Sequence, residues 1–275
     1  MSAAPLLEAE DVRVEIGGVR ILHGAFASVE AGRLVAIVGP NGAGKSTFAR
    51  ACAGIQRTCG GRIRLAGQDV ATLRGRRLAR LRAFVPQRAR VPEGMTVRQA
   101  VQLGRSPHLG PLRRAGRRDQ EAVERAMERT GVAELADRNL TTLSGGELQR
   151  AQISIALAQE APLLILDEPT AHLDLGATVT VARLLRELAD AGLGVLLVVH
   201  DLALAAAVAD DAVVLSGGRS VAAGPPEEVL DRERLASVWE VDAALETRGG
   251  TTALHVAWLK EARTSEQIAI EEGLR

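Results

Sequence analysis

The eight residues Gly39, Pro40, Asn41, Gly42, Ala43, Gly44, Lys45 and Ser46 fit the pattern G-x-x-x-x-G-K-[ST], and Thr47 follows directly. They follow an apolar run and precede a helical pattern, which is the context that gives this motif its chemistry. Glycines at these positions let backbone N–H groups converge on phosphate oxygens, and the helix N-terminus adds its positive dipole end. Lys45 is placed to reach the outer phosphates, and the Ser46 hydroxyl suits a magnesium ion bound to them. Lysine is otherwise avoided: among 34 basic side chains, Lys45 and Lys260 are the two that are not arginine. The chain keeps a compact ammonium at the one position where a phosphate loop uses it rather than a planar guanidinium.

A second group stands at the end of another apolar run, where Asp167 and Glu168 follow residues 163–166. Adjacent acids on an extended chain point different ways and can take different roles. Asp167 suits a cation held through water, and Glu168 suits a general base that activates an attacking water. His200 follows a third run, at 195–199, where an imidazole can hydrogen-bond a phosphate or that water. Ser144 and Glu147 form an S-x-x-E capping box around Gly145 and Gly146. Two glycines inside such a box leave a helix N-terminus open to close approach by an anion.

A phosphate loop with an acidic strand end fits many families, kinases and G proteins included. Leu143-Ser144-Gly145-Gly146-Glu147 separates them, because it resembles the signature LSGGE/Q of the ABC ATPases. In the same order Gln87 resembles that family's Q-loop, Ala171-His172-Leu173-Asp174 its D-loop, and His200 its switch histidine, so the resemblance covers roughly residues 6–240. It implies ATP and Mg2+ as ligands, with Ser46, Gln87 and Asp167 on the metal side. It also implies Glu168, His200, Gln87 and Asp174 as catalytic positions, and residues 144–147 as a contact to ATP bound on a second copy of the chain. Members of this family usually place an aromatic residue against adenine just before the first hairpin turn. Ile16 occupies the matching position, and the chain has no tyrosine.

These residues need a scaffold that brings several strand ends together. Residues 6–14 and 20–29 read as two strands around the turn Gly17-Gly18, an antiparallel layer at the N-terminus. The short apolar runs at 34–38, 163–166 and 195–199 read as buried parallel strands. Helical texture between Gln87 and residue 163, clearest at 117–130 and 147–159, reads as a lobe of about 88–160 inserted in the sheet domain. Val181, Leu184, Leu185 and Leu188 mark a core-facing helix before the third run. The expected fold is thus α/β: a P-loop NTPase sheet core with an N-terminal antiparallel layer and an inserted helical subdomain. One ATPase domain over 1–240 is followed by a short extension, 241–275, without a usable motif.

Charge is balanced, with 34 basic and 34 acidic residues, so there is no overall excess of the kind that nucleic-acid binding leaves in composition. Arginine-dense stretches at 74–90 and 113–118 read as a solvated face, or as a contact to an acidic partner or lipid headgroups. Cys52 and Cys59 are too few for a disulfide framework and are expected to stay reduced. No leader or membrane-spanning run is visible. The ABC resemblance therefore implies a separate integral membrane permease, to which a homodimer of this chain attaches at the cytoplasmic face, and indirectly a substrate-binding protein. Leu103-Gly104-Arg105-Ser106-Pro107-His108, Ala171-His172-Leu173-Asp174, His200-Asp201-Leu202 and Gly224-Pro225-Pro226-Glu227-Glu228-Val229 resemble the importers of ferric siderophores, cobalamin and haem. The alternative from another class is a soluble ABC-type ATPase acting on nucleic acid or in regulation.

Overall fold

A computed structural model describes residues 4–87, 93–109, 115–248 and 251–257. The sequence-expected lobe boundary near residue 88, the arginines at 88, 90, 113 and 114, Pro92, Pro111, Trp258 and the tail 261–275 lie outside the described residues.

The chain opens with β1 (Leu7–Ile16) and β2 (Val19–Val29), joined at Gly17-Gly18 and paired antiparallel from Leu7↔Val29 to Ile16↔Val19. Then come β3 (Leu34–Val38) and α1 (Lys45–Cys52), which Gly44 caps from a left-handed conformation. The hairpin β4 (Gly60–Leu65) and β5 (Gln68–Asp69), the short α2 (Gly75–Ala79) and β6 (Arg82–Val85) lead up to Gln87. Three helices follow: α3 (Val97–Leu103), α4 (Arg117–Arg129) and α5 (Gly145–Ala158). The chain then alternates through β7 (Leu163–Asp167), α6 (Leu175–Asp190), β8 (Gly194–Val198), α7 (Leu202–Val208) and β9 (Asp211–Ser216). It continues with β10 (Arg219–Gly224), α8 (Pro226–Val229), α9 (Arg232–Trp239) and the hairpin β11 (Ala243–Arg248) and β12 (Thr251–Val256).

The strands lie in the order β5-β4-β1-β2-β10-β9-β3-β8-β7-β6. From β6 to β9 all pairings are parallel. The antiparallel N-terminal layer meets this half through β2 and β10, at the single pairing Arg219↔Gly24. The central strands β3, β7 and β8 are buried at every residue, so their side chains divide by alternation between two cores. Val35, Ile37, Ile165 and Val198 face the β1–β2 layer and α1, whose Phe48 is fully buried there, a burial that contributes about 2–3 kcal/mol. Ala36, Val38, Leu166 and Leu197 face α6 and α7. Helices α3, α4 and α5 share a third cluster around Val97, Val123 and Met127. The β11–β12 hairpin, in a region whose sequence carries little pattern, lays Leu245, Leu254 and Val256 against the α6–α7 core.

Candidate nucleotide site

Four neighbouring parallel strands, β3, β8, β7 and β6, end on the same side of the sheet, the side at which ligands of open α/β sheets bind. The chain leaving β3 is the glycine loop, β7 delivers Asp167 and Glu168, β8 delivers His200, and β6 delivers Gln87. Residues scattered over more than a hundred positions thereby meet at one sheet edge.

In the loop, Gly39 has φ 153, and a Cβ there would lie 2.0 Å from the carbonyl oxygen of Leu215 on neighbouring β9. Only glycine lets the backbone pass so close to β9 while in that conformation. The tip residues Asn41 and Gly42 are exposed, while Ala43 is buried and its N–H donates to Pro40 O. Among the described residues no side chain caps α1, leaving the amides of its first turn, at Lys45, Ser46 and Thr47, without a side-chain cap. Lys45 is buried, and its Nζ donates to Gly39 O at 2.8 Å and Pro40 O at 3.1 Å. Burial lowers its pKa, while the nearby charges of Glu168 and Asp167 work the other way.

Glu168 adopts φ 50 and donates its N–H to Val198 O of β8, which turns the chain sharply after β7. Its Oε2 accepts a hydrogen bond from Gln87 Nε2 at 2.7 Å and lies 4.0 Å from His200 Nδ1. Asp167 is fully buried, and among the described residues neither of its carboxylate oxygens accepts a hydrogen bond of ordinary geometry. Burial pushes its pKa up; the adjacent Ser46 side chain and the Arg50 guanidinium, 3.6 Å away, favour the charged form. An orphaned, buried carboxylate beside a serine hydroxyl is a donor set of oxygen atoms that suits Mg2+. The residues therefore fit the ion that the motifs imply, with Ser46 and Asp167 placed to hold it.

The capping box forms at Ser144 and Glu147 as the sequence predicts, and α5 begins at Gly145, two residues before the helical pattern at 147–159. Ser144 Oγ accepts from Glu147 N, and Glu147 Oε2 accepts from Ser144 N at 2.8 Å. The backbone bond from Ser144 holds the Glu147 carboxyl below the usual carboxylate range. A Cβ on Gly146 would lie 2.8 Å from Ala177 Cβ in the first turn of α6, so this glycine is required by helix contact. Asp174 caps α6 by accepting from Ala177 N at 2.7 Å, which gives that side chain a structural task. Ser144 and Glu147 bond to each other, Gly145 neighbours Leu173, and Gly146 neighbours Ala177 of α6. Ile16 stands at the hairpin tip, 47% exposed.

The ABC transporter family profile matches residues 22–171, more than half of the chain and the stretch that holds both the loop and the acidic strand end. The chain belongs to the ABC transporter family. This ABC protein is 44% identical over 260 residues to a cobalamin import ATP-binding protein of Halobacterium salinarum; the match covers 94% of the chain, which spans 65% of that relative's length. A hemin import ATP-binding protein of Streptomyces coelicolor is 45% identical over 241 residues, covering 86% of the chain and 85% of the relative. Among solved structures, an ABC transporter assigned to the metal-chelate type, in an inward-facing conformation, aligns with TM-score 0.80 at 26% identity. That alignment covers 94% of this chain and 98% of the other. The mixed α/β architecture is therefore that of the ABC ATPase domain.

One residue of this ABC domain site escaped the sequence reading. Arg50 lies four positions after Ser46 on α1, a spacing that puts both on one helix face, toward Asp167. That spacing was the available signal.

Proposed function

We propose that this chain binds ATP with Mg2+ and hydrolyses it as one half of a homodimer, driving import of a ferric siderophore, cobalamin or haem through a separate membrane permease. The observation that carries the reading is the convergence of Lys45, Ser46, Asp167, Glu168, Gln87 and His200 at four adjacent strand ends. The cargo class rests on the import proteins of similar sequence.

In this reading the loop amides and Lys45 hold the phosphates, Lys45 exchanging its contacts with Gly39 and Pro40 for phosphate oxygens. Ser46, Asp167 and Gln87 would hold magnesium, which when bound would neutralise phosphate charge. Glu168 accepts the proton of the attacking water; general-base catalysis of this kind contributes about 10²–10⁴-fold. Gln87 holds one oxygen of that carboxylate, and His200 stands beside it to bond the water or the outer phosphate. The open N-terminus of α5, with Ser144, Gly145, Gly146 and Glu147, meets the phosphate bound by the second copy, and Asp174 orders the loop between them. Two copies make two shared sites. Among the described residues no helix is long and apolar enough to cross a membrane. In this reading the chain sits at the cytoplasmic face of the membrane through the permease, and reaches the substrate-binding protein only indirectly.

The test is purification with the cognate permease in detergent, followed by reconstitution in proteoliposomes and ATP-driven uptake of radiolabelled cobalamin, haem and a ferric siderophore. ATP-dependent uptake of one of the three supports the proposal. Salt-sensitive retention on DNA or RNA without any membrane partner would overturn the importer reading in favour of the soluble alternative.

A further inference from the structure

Asp167 has no exposed surface and accepts no ordinary hydrogen bond among the described residues, yet it is not without a counter-charge. Lys45, the other cation of the loop, has its ammonium bonded to the carbonyls of Gly39 and Pro40. The ion pair formed by Asp167 is with Arg50, whose Nη2 lies 3.6 Å from Oδ2, too far for a hydrogen bond. Arg50 enters from the last turn of α1, and its side chain is 48% exposed. Ser46, one turn earlier on the same helix, approaches the same carboxylate. Lys45 also favours the charged form of Asp167, but the cation paired with it is a long, half-solvated arginine beyond hydrogen-bond distance, a contact that another cation can displace.

We propose that Arg50 and the magnesium ion compete for Asp167, the guanidinium holding the carboxylate's charge until the metal replaces it. The proposal rests on the reading of Asp167 as a metal-side carboxylate. Its physical basis is that removing one partner of a buried ion pair leaves an uncompensated charge, a large penalty that a bound divalent cation removes. The effect of Arg50 on stability should therefore depend on whether metal is bound, and on whether residue 167 carries a charge.

Thermal unfolding and Mn2+ binding on the full chain test this, with Arg50→Met, Arg50→Lys, Asp167→Asn and the Arg50→Met/Asp167→Asn double variant. Unfolding is followed in EDTA and with Mn2+ plus a non-hydrolysable ATP analogue; Mn2+ affinity in the presence of the analogue is read by paramagnetic resonance. Arg50→Met is expected to lower the midpoint in EDTA by several degrees. That loss should shrink with Mn2+ and analogue present, and Mn2+ should bind roughly three- to tenfold more tightly. Arg50→Lys should fall between, and on the Asp167→Asn background Arg50→Met should have no effect in EDTA. Equal loss of midpoint with and without metal, or unchanged or weaker Mn2+ binding, would overturn the proposal and leave Arg50 a packing residue. Wild-type protein that binds neither Mn2+ nor the analogue would instead overturn the nucleotide reading itself, and the competition with it.

Discussion

Gln87 and Glu168 are joined by a 2.7 Å hydrogen bond from the amide of one to Oε2 of the other, across 81 residues of sequence and between the ends of neighbouring strands β6 and β7. The amide donates and the carboxylate accepts, so the bond fixes one oxygen and leaves the other for a water proton. Glu168→Gln keeps the shape but cannot take that proton. It is expected to bind Mg-ATP normally and to hydrolyse it at least about a hundredfold more slowly. ATP should then accumulate a dimer, visible by light scattering. Near wild-type turnover would remove Glu168 from the role. Gln87→Ala, which loses the bond and keeps the base, should reduce turnover less than Glu168→Gln.

The second prediction concerns the α5 N-terminus. Ser144 and Glu147 bond to each other, and Gly146 lies against Ala177 of α6; in the shared-site reading this helix end meets the phosphate bound by a second copy. Ser144→Arg should abolish ATP hydrolysis while each chain still binds nucleotide. Lys45→Ala should fail at phosphate binding. Mixed dimers of the two retain one site with both motifs intact, so mixing should restore activity above that of either variant and below wild type. No recovery from mixing, in dimers shown to exchange subunits, would count against the shared site.

Much of this site was legible in the sequence because a phosphate loop, a capping box and a strand-end acid are local patterns, each set by backbone needs within a few residues. The same holds for β3, which runs over the predicted residues 34–38. What resisted prediction depends on distant partners. Strands β9 and β10 gain their places from pairing with β3 and β2, and the β11–β12 hairpin from packing on the α6–α7 core. The segment 103–108 stood out only by resemblance. In the structure Arg105 is buried, bonding Asp119 at the start of α4 together with Ala158 O and Glu160 at the end of α5, a task no local pattern announces. Arg50 is the intermediate case: its spacing from Ser46 is local, but the carboxylate that gives the spacing meaning lies on β7.

Stability should carry an acid signature from Asp210, which accepts from Leu34 N at 2.7 Å and from Arg186 at 2.9 Å, tying the start of β3 to α6. Burial alone would raise its pKa, but the Leu34 amide and the Arg186 charge outweigh burial and hold it below the usual carboxylate range. With the folded value below the unfolded one, near 3.9, the contribution is present above about pH 4 and is lost as pH falls through the folded value. Asp210→Asn should therefore cost about 1–2 kcal/mol at neutral pH. Its difference from wild type should shrink steadily below about pH 4. Urea unfolding at several pH values measures this, and a difference that does not change with pH would show that the charge of Asp210 contributes nothing.

The last prediction concerns adenine. Ile16 pairs with Val19 across the hairpin tip, and both are exposed, at 47% and 61%. The next pair inward on that face is Val14 with Leu22, after a bulge that shifts the register, and both are fully buried. Leu22 in turn packs at the loop: a Cβ added to Gly44 would lie 2.7 Å from its Cδ2. The exposed aliphatic pair thus continues a core face toward the phosphate loop, where a base attached to loop-bound phosphates can cover it. Covering an aliphatic surface recovers part of what an aromatic ring would give, since base–aromatic stacking is worth about 1–3 kcal/mol. Ile16→Tyr is therefore expected to tighten ATP binding by up to about tenfold, equivalent to 1.4 kcal/mol, with little change in maximal turnover. Competition of ATP, GTP and tripolyphosphate against a fluorescent ATP analogue separates base from phosphate. ATP should gain affinity in the Tyr variant while tripolyphosphate, which has no base, should not. Equal gains for both ligands, or no gain for ATP, would place the base elsewhere and take Ile16 out of the site.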